Sequence, residues 1–519
     1  MHRVSALVLF LVLSGSALGQ VERNHDITPE DYASVNTITE IAVSPDGKQV
    51  AYCLATWDKK ADNRRTDLWV VATDGKGKPR QLTKDRANDR QPKWSADGKA
   101  IFVLGNRKTK DDKKAITRVW KVWLDEERPP TAVTNERDAV TGYDYAPKAD
   151  RIFFTFDATA TDEDHFSALR KKFDKPKYGS GKRTVSELYV LNAENIPEKL
   201  IAEKRYIREF AVTADGKRIA MITAFDDTVL KSEGESRVDV WEGNPEKPET
   251  PGKIVTPPTD VYRAKAASPY AWLESIAWNP DGTRFAFCAI FDAYPAEIII
   301  GELKDEKWTT SEMTRSSETQ VRGYGSPLKW MTNDFLAYLD DRQGKVRSRT
   351  YVFPQRRTHE LLDNFHIDGV VYAIDVPSES PRVEVAGTLD RIAVLSALTD
   401  KGWILLVDPN PHTSTWKLPS VQHITWSAPD GTEVGGPLEL PYGWKKGDKP
   451  LPLVVAIHGG PTTANYNDLR FDPHNGRLFF AAHGYAVLCP NYRGSTGYGD
   501  KFVTDLIGHE NDIEVKDIL

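Results

Sequence analysis

The feature of this sequence that most constrains its fold is a repeated pair of short apolar segments joined by Asp-Gly. In each clear copy a Ser, Thr or Asn lies two residues before the Asp, and apolar residues flank the turn on both sides. Asp-Gly favours a hairpin because Gly takes positive φ freely and Asp tolerates it. The clear copies occupy residues 41–52, 92–103, 210–221 and 276–287. Each copy therefore predicts two antiparallel strands.

Weaker copies, without the Asp-Gly pair, bring the repeat number to seven. They occupy residues 143–154, 328–338 and 385–395. The copies are about 50 to 67 residues apart, the range of a propeller blade with loop insertions. A second pair of strand-like segments follows several copies, for example 67–71 and 80–83. Four strands in each of seven units predict an all-β seven-bladed β-propeller over residues 35–415. A β-sandwich with chance hairpins is the alternative, and the regular period argues against it.

The sequence changes character after about residue 421. The continuous apolar run 453–457 predicts a strand buried on both faces, as in a parallel sheet. Residues 478–482 are helix-like, and residues 486–489 form the next apolar segment. A strand, a helix and a strand with short connections predict an α/β domain over 421–519.

Three motifs in this region carry a family resemblance. Asp-Gly-Thr at 430–432 is followed by His-Gly-Gly-Pro at 458–461, directly after a predicted strand, and then by Asn-Tyr-Arg-Gly-Ser-Thr-Gly-Tyr-Gly at 491–499. In this order behind a propeller, they resemble the prolyl oligopeptidase family of serine peptidases. The acylaminoacyl peptidases and the bacterial dipeptidyl-peptidase-like enzymes are the most similar branch. The resemblance covers nearly all of the mature chain and implies that 421–519 is the N-terminal part of an α/β-hydrolase domain.

The resemblance implies proteolysis of oligopeptides through an acyl-enzyme and a Ser-Asp-His triad. The nucleophile of such a domain lies in Gly-x-Ser-x-Gly on a strand-to-helix turn. No serine of this sequence has that frame; Ser495 comes nearest, but Arg493 replaces the first glycine. We therefore expect a C-terminally truncated chain, with the nucleophile, acid and base beyond Leu519, and an inactive 519-residue polypeptide. We assign to the triad none of His474, His483, His509 and Asp517.

One catalytic element is expected within the chain. In the family, the loop after the first core strand lines the oxyanion hole. Glycine there lets a backbone N–H face a developing oxyanion without obstruction by a side chain. Gly459 and Gly460 are therefore the candidates, without a choice between the two amides. Alternatively, the two glycines only permit a tight turn. The role of His458 stays open, and neither a cofactor nor a metal is implied.

The N-terminus predicts export. Arg3, an apolar stretch over 4–13 and small residues up to Gly19 have the layout of a signal peptide, residues 1–19. We therefore expect a secreted or periplasmic protein. A net charge of −6 gives no reason to expect nucleic acid, and no later segment is apolar over the roughly 20 residues of a membrane helix.

The expected partner is an oligopeptide substrate, with neither nucleic acid nor membrane as a partner. Homo-oligomerisation and the choice between exopeptidase and endopeptidase stay open. The three cysteines are far apart and predict buried thiols, with one incidental disulfide as the alternative. The competing function is that of a secreted β-propeller that binds or scaffolds without catalysis.

Overall fold

The computed structural model describes most of the chain, and strands dominate it. The described residues are 22–110, 114–125, 128–134, 139–157, 186–201, 205–224, 236–247, 250–263, 271–360, 369–377, 381–474 and 476–519. The predicted signal peptide, residues 1–19, lies outside these ranges. Within them, no helix is long and apolar enough to cross a membrane.

Five antiparallel sheets of four strands each follow one another along the chain. In every one of these sheets, hydrogen-bonded neighbours are consecutive in sequence. The first three contain β1 (Thr37–Val43), β2 (Gln49–Asp58), β3 (Asn63–Ala72), β4 (Arg80–Gln81); β5 (Arg90–Trp94), β6 (Ala100–Gly105), β7 (Arg118–Trp123), β8 (Thr131–Ala132); β9 (Val140–Ala146), β10 (Arg151–Asp157), β11 (Ser186–Leu191) and β12 (Pro197–Lys199). The next two contain β13 (Tyr206–Val212), β14 (Arg218–Ala224), β15 (Ser236–Glu242), β16 (Lys253–Val255); β17 (Trp272–Trp278), β18 (Arg284–Ile290), β19 (Glu297–Lys304) and β20 (Lys307–Glu312).

A nine-stranded sheet comes next and consists of two strand groups. They are β21 (Gln320–Val321), β22 (Lys329–Trp330), β23 (Phe335–Arg342), β24 (Lys345–Val352) and β25 (Arg357–Glu360), then β26 (Val370–Asp375), β27 (Arg382–Gly387), β28 (Val394–Thr399) and β29 (Gly402–Val407). A single parallel pair, Val346 opposite Val370, joins the groups through β24 and β26. The second group is again an antiparallel meander of four strands.

The Asp-Gly hairpins form where the sequence predicts them. Gly47, Gly98, Gly216 and Gly282 have φ between 67° and 73°. In the first turn, Asp46 accepts hydrogen bonds from the Ser44 hydroxyl at 2.7 Å and from the Lys48 amide at 3.1 Å. This side-chain turn explains why a hydroxyl residue precedes the Asp in three of the four copies.

The weaker copies are also hairpins, but one is displaced within its unit. Residues 143–154 lie on β9–β10, the first pair of their unit, and residues 328–338 include β22 and the start of β23, which pair near the beginning of theirs. Residues 385–395 lie on β27 and β28, which are the second and third strands of the last group. The weak pattern there marks the neighbouring hairpin because the sequence between β26 and β27 has no Asp-Gly pair.

Apolar side chains lie between successive sheets, and the last strands pack on the first sheet. Cys53 and Leu68 belong to a cluster with Val103 and other residues of the second sheet. On the other side, Tyr52 belongs to a cluster with Val385 and other residues of β27–β29. The sheets therefore pack in succession and return to the start.

Carboxylate side chains also join neighbouring sheets, through the first strand of each sheet or strand group. Glu209 of β13 accepts hydrogen bonds from the amides of Ser275 and Ile276, at 3.0 and 2.7 Å, in the next sheet. Asp375 of β26 accepts one from the Val43 amide of β1 at 2.7 Å. These bonds satisfy backbone groups that antiparallel pairing within each sheet leaves free.

The C-terminal residues form a small mixed sheet with helices. It comprises β30 (Ser420–Ser427), β31 (Glu433–Leu440), β32 (Leu453–Val455) and β33 (Ala486–Leu488), in the order β30-β31-β33-β32. Strands β32 and β33 are parallel and the other pairs antiparallel. The helices of the described residues are α1 (Asp31–Ser34), α2 (Asp260–Arg263), α3 (Arg477–Ala482), α4 (Asp500–Thr504) and α5 (Ile513–Ile518), with 3-10 turns at Phe353–Gln355 and Pro411–Thr415.

The expectation that the 453–457 run is buried on both faces is wrong for this structure. Leu453 and Ile457 are 57% and 58% exposed, and Val455 is also exposed. The reason is that β32 lies at the sheet edge and pairs only with β33. Elsewhere, Arg477 of α3 contacts the buried Glu439 of β31 and ties this helix to the sheet.

We predict that Asp375→Ala destabilises the sheet assembly. The Val43 amide would lose its acceptor and Lys329 an ion-pair partner at 3.4 Å, at a cost of about 1–3 kcal/mol. The urea midpoint of unfolding measures this effect. Asp400→Ala, which removes an exposed carboxylate from the β28–β29 turn, is the control and should leave the midpoint unchanged. Equal midpoints for both variants would contradict the prediction.

Candidate active site

The two glycine-containing motifs meet at one edge of the small sheet. The loop 456–468 follows β32, and the loop 489–499 follows β33. Because the carboxyl ends of neighbouring parallel strands lie at the same edge, the loops come together there. His458 Nε2 lies 3.0 Å from Ser495 Oγ, and the Tyr492 ring stacks on the His458 ring with centroids 4.8 Å apart. The Tyr492 hydroxyl also donates to the His458 carbonyl.

The candidate oxyanion residues are exposed at this edge. Gly460 has a φ of 133°, and a Cβ there would lie 3.1 Å from the Thr462 amide nitrogen. Gly459 has no such strain, and no atom of the described residues lies within 4 Å of the position that a Cβ would take. Among the described residues, this side of Gly459 is therefore open. That one of these two amides donates to an oxyanion stays a prediction, without a choice between them.

His458 is held as a neutral imidazole. Burial lowers its pKa, an effect that the Gly459 carbonyl beside Nδ1 partly offsets. A carbonyl only accepts, so Nδ1 carries the proton and donates over 3.1 Å. Nε2 then accepts from the Ser495 hydroxyl.

The Ser495–His458 pair is not a catalytic triad in this structure. Ser495 is 0% exposed, so a substrate carbonyl does not reach its oxygen. Among the described residues that contact His458, a backbone carbonyl takes the place at Nδ1 that an acid has in a triad. The pair instead joins the two loops. Sequence reasoning left the role of His458 open, and this contact supplies one.

Two buried polar groups shape the 489–499 loop. Asn491 Oδ1 accepts from the Asn465 amide at 2.6 Å, and its Nδ2 donates to the Asn465 carbonyl at 3.0 Å. Arg493, which the sequence marked only as a broken glycine frame, binds the buried Asp517 carboxylate of α5 and also Asp430. The amide of Thr432 and the guanidinium of Arg493 lower the pKa of Asp430 to about 2.

The histidines left unassigned lie elsewhere. His474, His483 and His509 are exposed, and His483 Nδ1 contacts the Phe479 carbonyl at 2.8 Å. All three cysteines are free and buried, as expected for packed thiols. In the part of the chain that the structure describes, there is no group of three or more His, Cys, Asp or Glu side chains placed to hold a metal ion.

Comparisons with known proteins show what the chain as a whole is similar to. Residues 470–519 match the sequence profile of the prolyl oligopeptidase family. The chain is 26% identical over 550 residues to dipeptidyl-peptidase 5 of Porphyromonas gingivalis, across 95% of this chain and 72% of that protein. Acylaminoacyl peptidase of Pyrococcus horikoshii superposes with a TM-score of 0.69 at 14% identity, covering 95% of this chain and 71% of that structure. A puromycin-hydrolyzing peptidase of Mycobacterium tuberculosis gives 0.64 at 15% identity, covering 96% and 73%.

The solved structures show a shared fold, a strand-rich propeller joined to a hydrolase domain. The sequence matches indicate the class of protein. The chain is similar to the prolyl oligopeptidase family of serine peptidases, whose profile its residues 470–519 match. Its relatives include dipeptidyl-peptidase 5 and the acylaminoacyl peptidases.

We predict that alanine distinguishes the two glycines in stability. Gly460→Ala forces a side chain into a positive-φ conformation and should cost about 1–3 kcal/mol. Gly459→Ala introduces the same methyl group into open space and should change stability by about 0.5 kcal/mol or less. Thermal unfolding of the two variants measures the difference. A larger loss for Gly459→Ala would mean that the loop adopts another conformation.

We also predict that Ser495 is structural. Ser495→Ala removes the hydroxyl that donates to His458 and should cost about 1 kcal/mol of unfolding free energy. It should not abolish labelling of the protein, expressed from its complete gene, by a fluorophosphonate probe. Mass spectrometry of the labelled peptide is the measurement. Loss of labelling in a folded Ser495→Ala variant would instead make Ser495 the nucleophile.

Proposed function

We propose that the protein is a secreted or periplasmic serine peptidase that hydrolyses oligopeptides through an acyl-enzyme. In this proposal, Gly459 or Gly460 supplies an oxyanion donor, and a Ser-Asp-His triad follows Leu519. The observation that carries it is the meeting of the two loops, which leaves the backbone beside Gly459 exposed and open. The missing Gly-x-Ser-x-Gly frame and the 72% coverage of dipeptidyl-peptidase 5 support a triad in further residues.

The proposal includes a seven-bladed propeller that restricts substrates by size. Support comes from seven apolar clusters, each lying between neighbouring strand groups, if the two groups of the nine-stranded sheet count as separate blades. A cavity of about 860 Å³ lies among the first strands of successive sheets. Charged residues such as Glu40, Lys93 and Asp144 are part of its lining. Such a volume is in the range of small-ligand sites and accommodates a short peptide but not a folded domain.

The proposal predicts where an active-site probe reacts. A fluorophosphonate should label the protein expressed from its complete gene at a serine outside residues 1–519. Residues 1–519 expressed alone should neither react nor hydrolyse peptides, because they contain no serine on a nucleophile elbow. Heat-denatured protein is the control for non-specific labelling.

Two results would contradict this function. Labelling within residues 1–519 would move the nucleophile into the described chain. Absence of labelling in the folded complete protein would favour the competing function, a propeller that binds without catalysis.

A further inference from the structure

The 489–499 loop is clamped from outside the small sheet. Its residues contact the turn between β23 and β24, which belongs to the nine-stranded sheet. Gln343 donates its amide to the Gly497 carbonyl at 2.8 Å, and the Gly497 amide donates to the Gln320 side chain. A Cβ on Gly497 would lie 3.1 Å from the Gln343 nitrogen, so the two backbones are in close approach. We call this contact the seam.

Asp341 lies at the centre of the seam. It is the penultimate residue of β23 and is only 2% exposed. Its Oδ2 accepts hydrogen bonds from Thr496 Oγ1 at 2.9 Å and from the Tyr466 hydroxyl at 3.1 Å. One carboxylate oxygen of the propeller therefore holds both loops that form the candidate active site.

The electrostatic surroundings explain how a charge is kept there. Burial raises the pKa of Asp341 to about 6, while Arg322 and the two hydroxyl donors oppose that increase. The Arg322 guanidinium lies 5.2 Å from the centre of the Tyr466 ring, and Asp340 is the neighbouring acid. At neutral pH the carboxylate is mainly ionised, and charge strengthens the hydrogen bonds that it accepts.

Two further bonds connect this carboxylate to the candidate oxyanion loop. The Thr496 amide donates to the Thr463 carbonyl at 2.9 Å, three residues beyond Gly460. The adjacent Ser495 donates to His458 at 3.0 Å, one residue before Gly459. The position of Thr496 therefore affects the residues on both sides of the Gly459–Gly460 pair, His458 and Thr463.

We propose that Asp341 is a positioning residue for the peptidase reaction, which fixes Thr496 and Tyr466 from the propeller and thereby orients the Gly459–Gly460 backbone. The inference rests on the proposed function for its catalytic consequence. It assigns to the propeller a direct part in arranging the site, in addition to covering it.

The test compares Asp341→Asn with Thr496→Val in the protein expressed from its complete gene. Each change weakens the same hydrogen bond from one side. Since small misplacements of catalytic groups reduce turnover strongly, we expect each to lower kcat by about 10- to 100-fold, with KM changed less than about twofold. The double variant should lose no more than Asp341→Asn alone, because Thr496→Val removes only a contact that Asp341→Asn already weakens.

Two variants control for general damage. Thr496→Ser retains the hydroxyl and should keep kcat near that of the unmodified protein. Asp334→Asn changes a half-exposed acid just before the other end of β23 and should do the same. If Asp341→Asn does not fold, the comparison of Thr496→Val with Thr496→Ser decides the question alone.

Amide hydrogen exchange separates this inference from the proposed function. In Asp341→Asn, residues 458–463 and 491–499 should exchange faster than in the unmodified protein, whether or not the protein hydrolyses peptides. Unchanged exchange in these residues would overturn the inference, as would multiplicative losses of kcat in the double variant. A protein that orders these loops through Asp341 but shows no turnover would refute only the proposed function.

Discussion

The constraint on which the rest of the structure depends is that the middle strands of each sheet are buried on both faces. Along β2, Tyr52 packs toward the last strands of the assembly, whereas the adjacent Cys53 packs toward the second sheet. A four-stranded sheet of this kind requires two neighbours, because either uncovered face would leave a large apolar surface in water. A linear row of such sheets always has two uncovered faces. Packing of β26–β29 against the first sheet removes both, and the Asp375–Val43 bond secures that junction.

This closure has a consequence for the candidate site. Loops at one side of the sheets reach the small mixed sheet at several points: the Ala293 amide binds Thr462, Arg315 binds Asp500, and Asp341 binds Thr496. Thr462 and Thr496 are in the two loops that follow β32 and β33, and Asp500 begins α4 directly after the second loop. A rigid strand framework thus supports the loops from outside, which is how protein scaffolds keep reactive groups in place.

Sequence reasoning succeeded where a local pattern carries the structure. The Asp-Gly hairpins follow from two residues and, in three of the four copies, a preceding hydroxyl, and the glycine motifs indicated the loops that meet. It failed where the outcome depends on distant partners. The position of residues 385–395 within their unit depends on which strand comes first in that group. The exposure of Leu453 depends on the order of strands in the small sheet. Asp341 and Thr496 are 155 residues apart, and nothing around Asp341 distinguishes it in sequence from its neighbour Asp340.

The electrostatics of His458 determine what its contact with Ser495 can do. A base that takes a serine proton becomes an imidazolium, and a carboxylate at the other ring nitrogen stabilises that charge. At His458 that nitrogen faces the Gly459 carbonyl, and burial already disfavours the cation. The Ser495–His458 bond is therefore more stable as a neutral contact than as a proton-transfer pair. It connects the loop that contains Gly459 to the 489–499 loop, and no described side chain fills the space on the open side of Gly459.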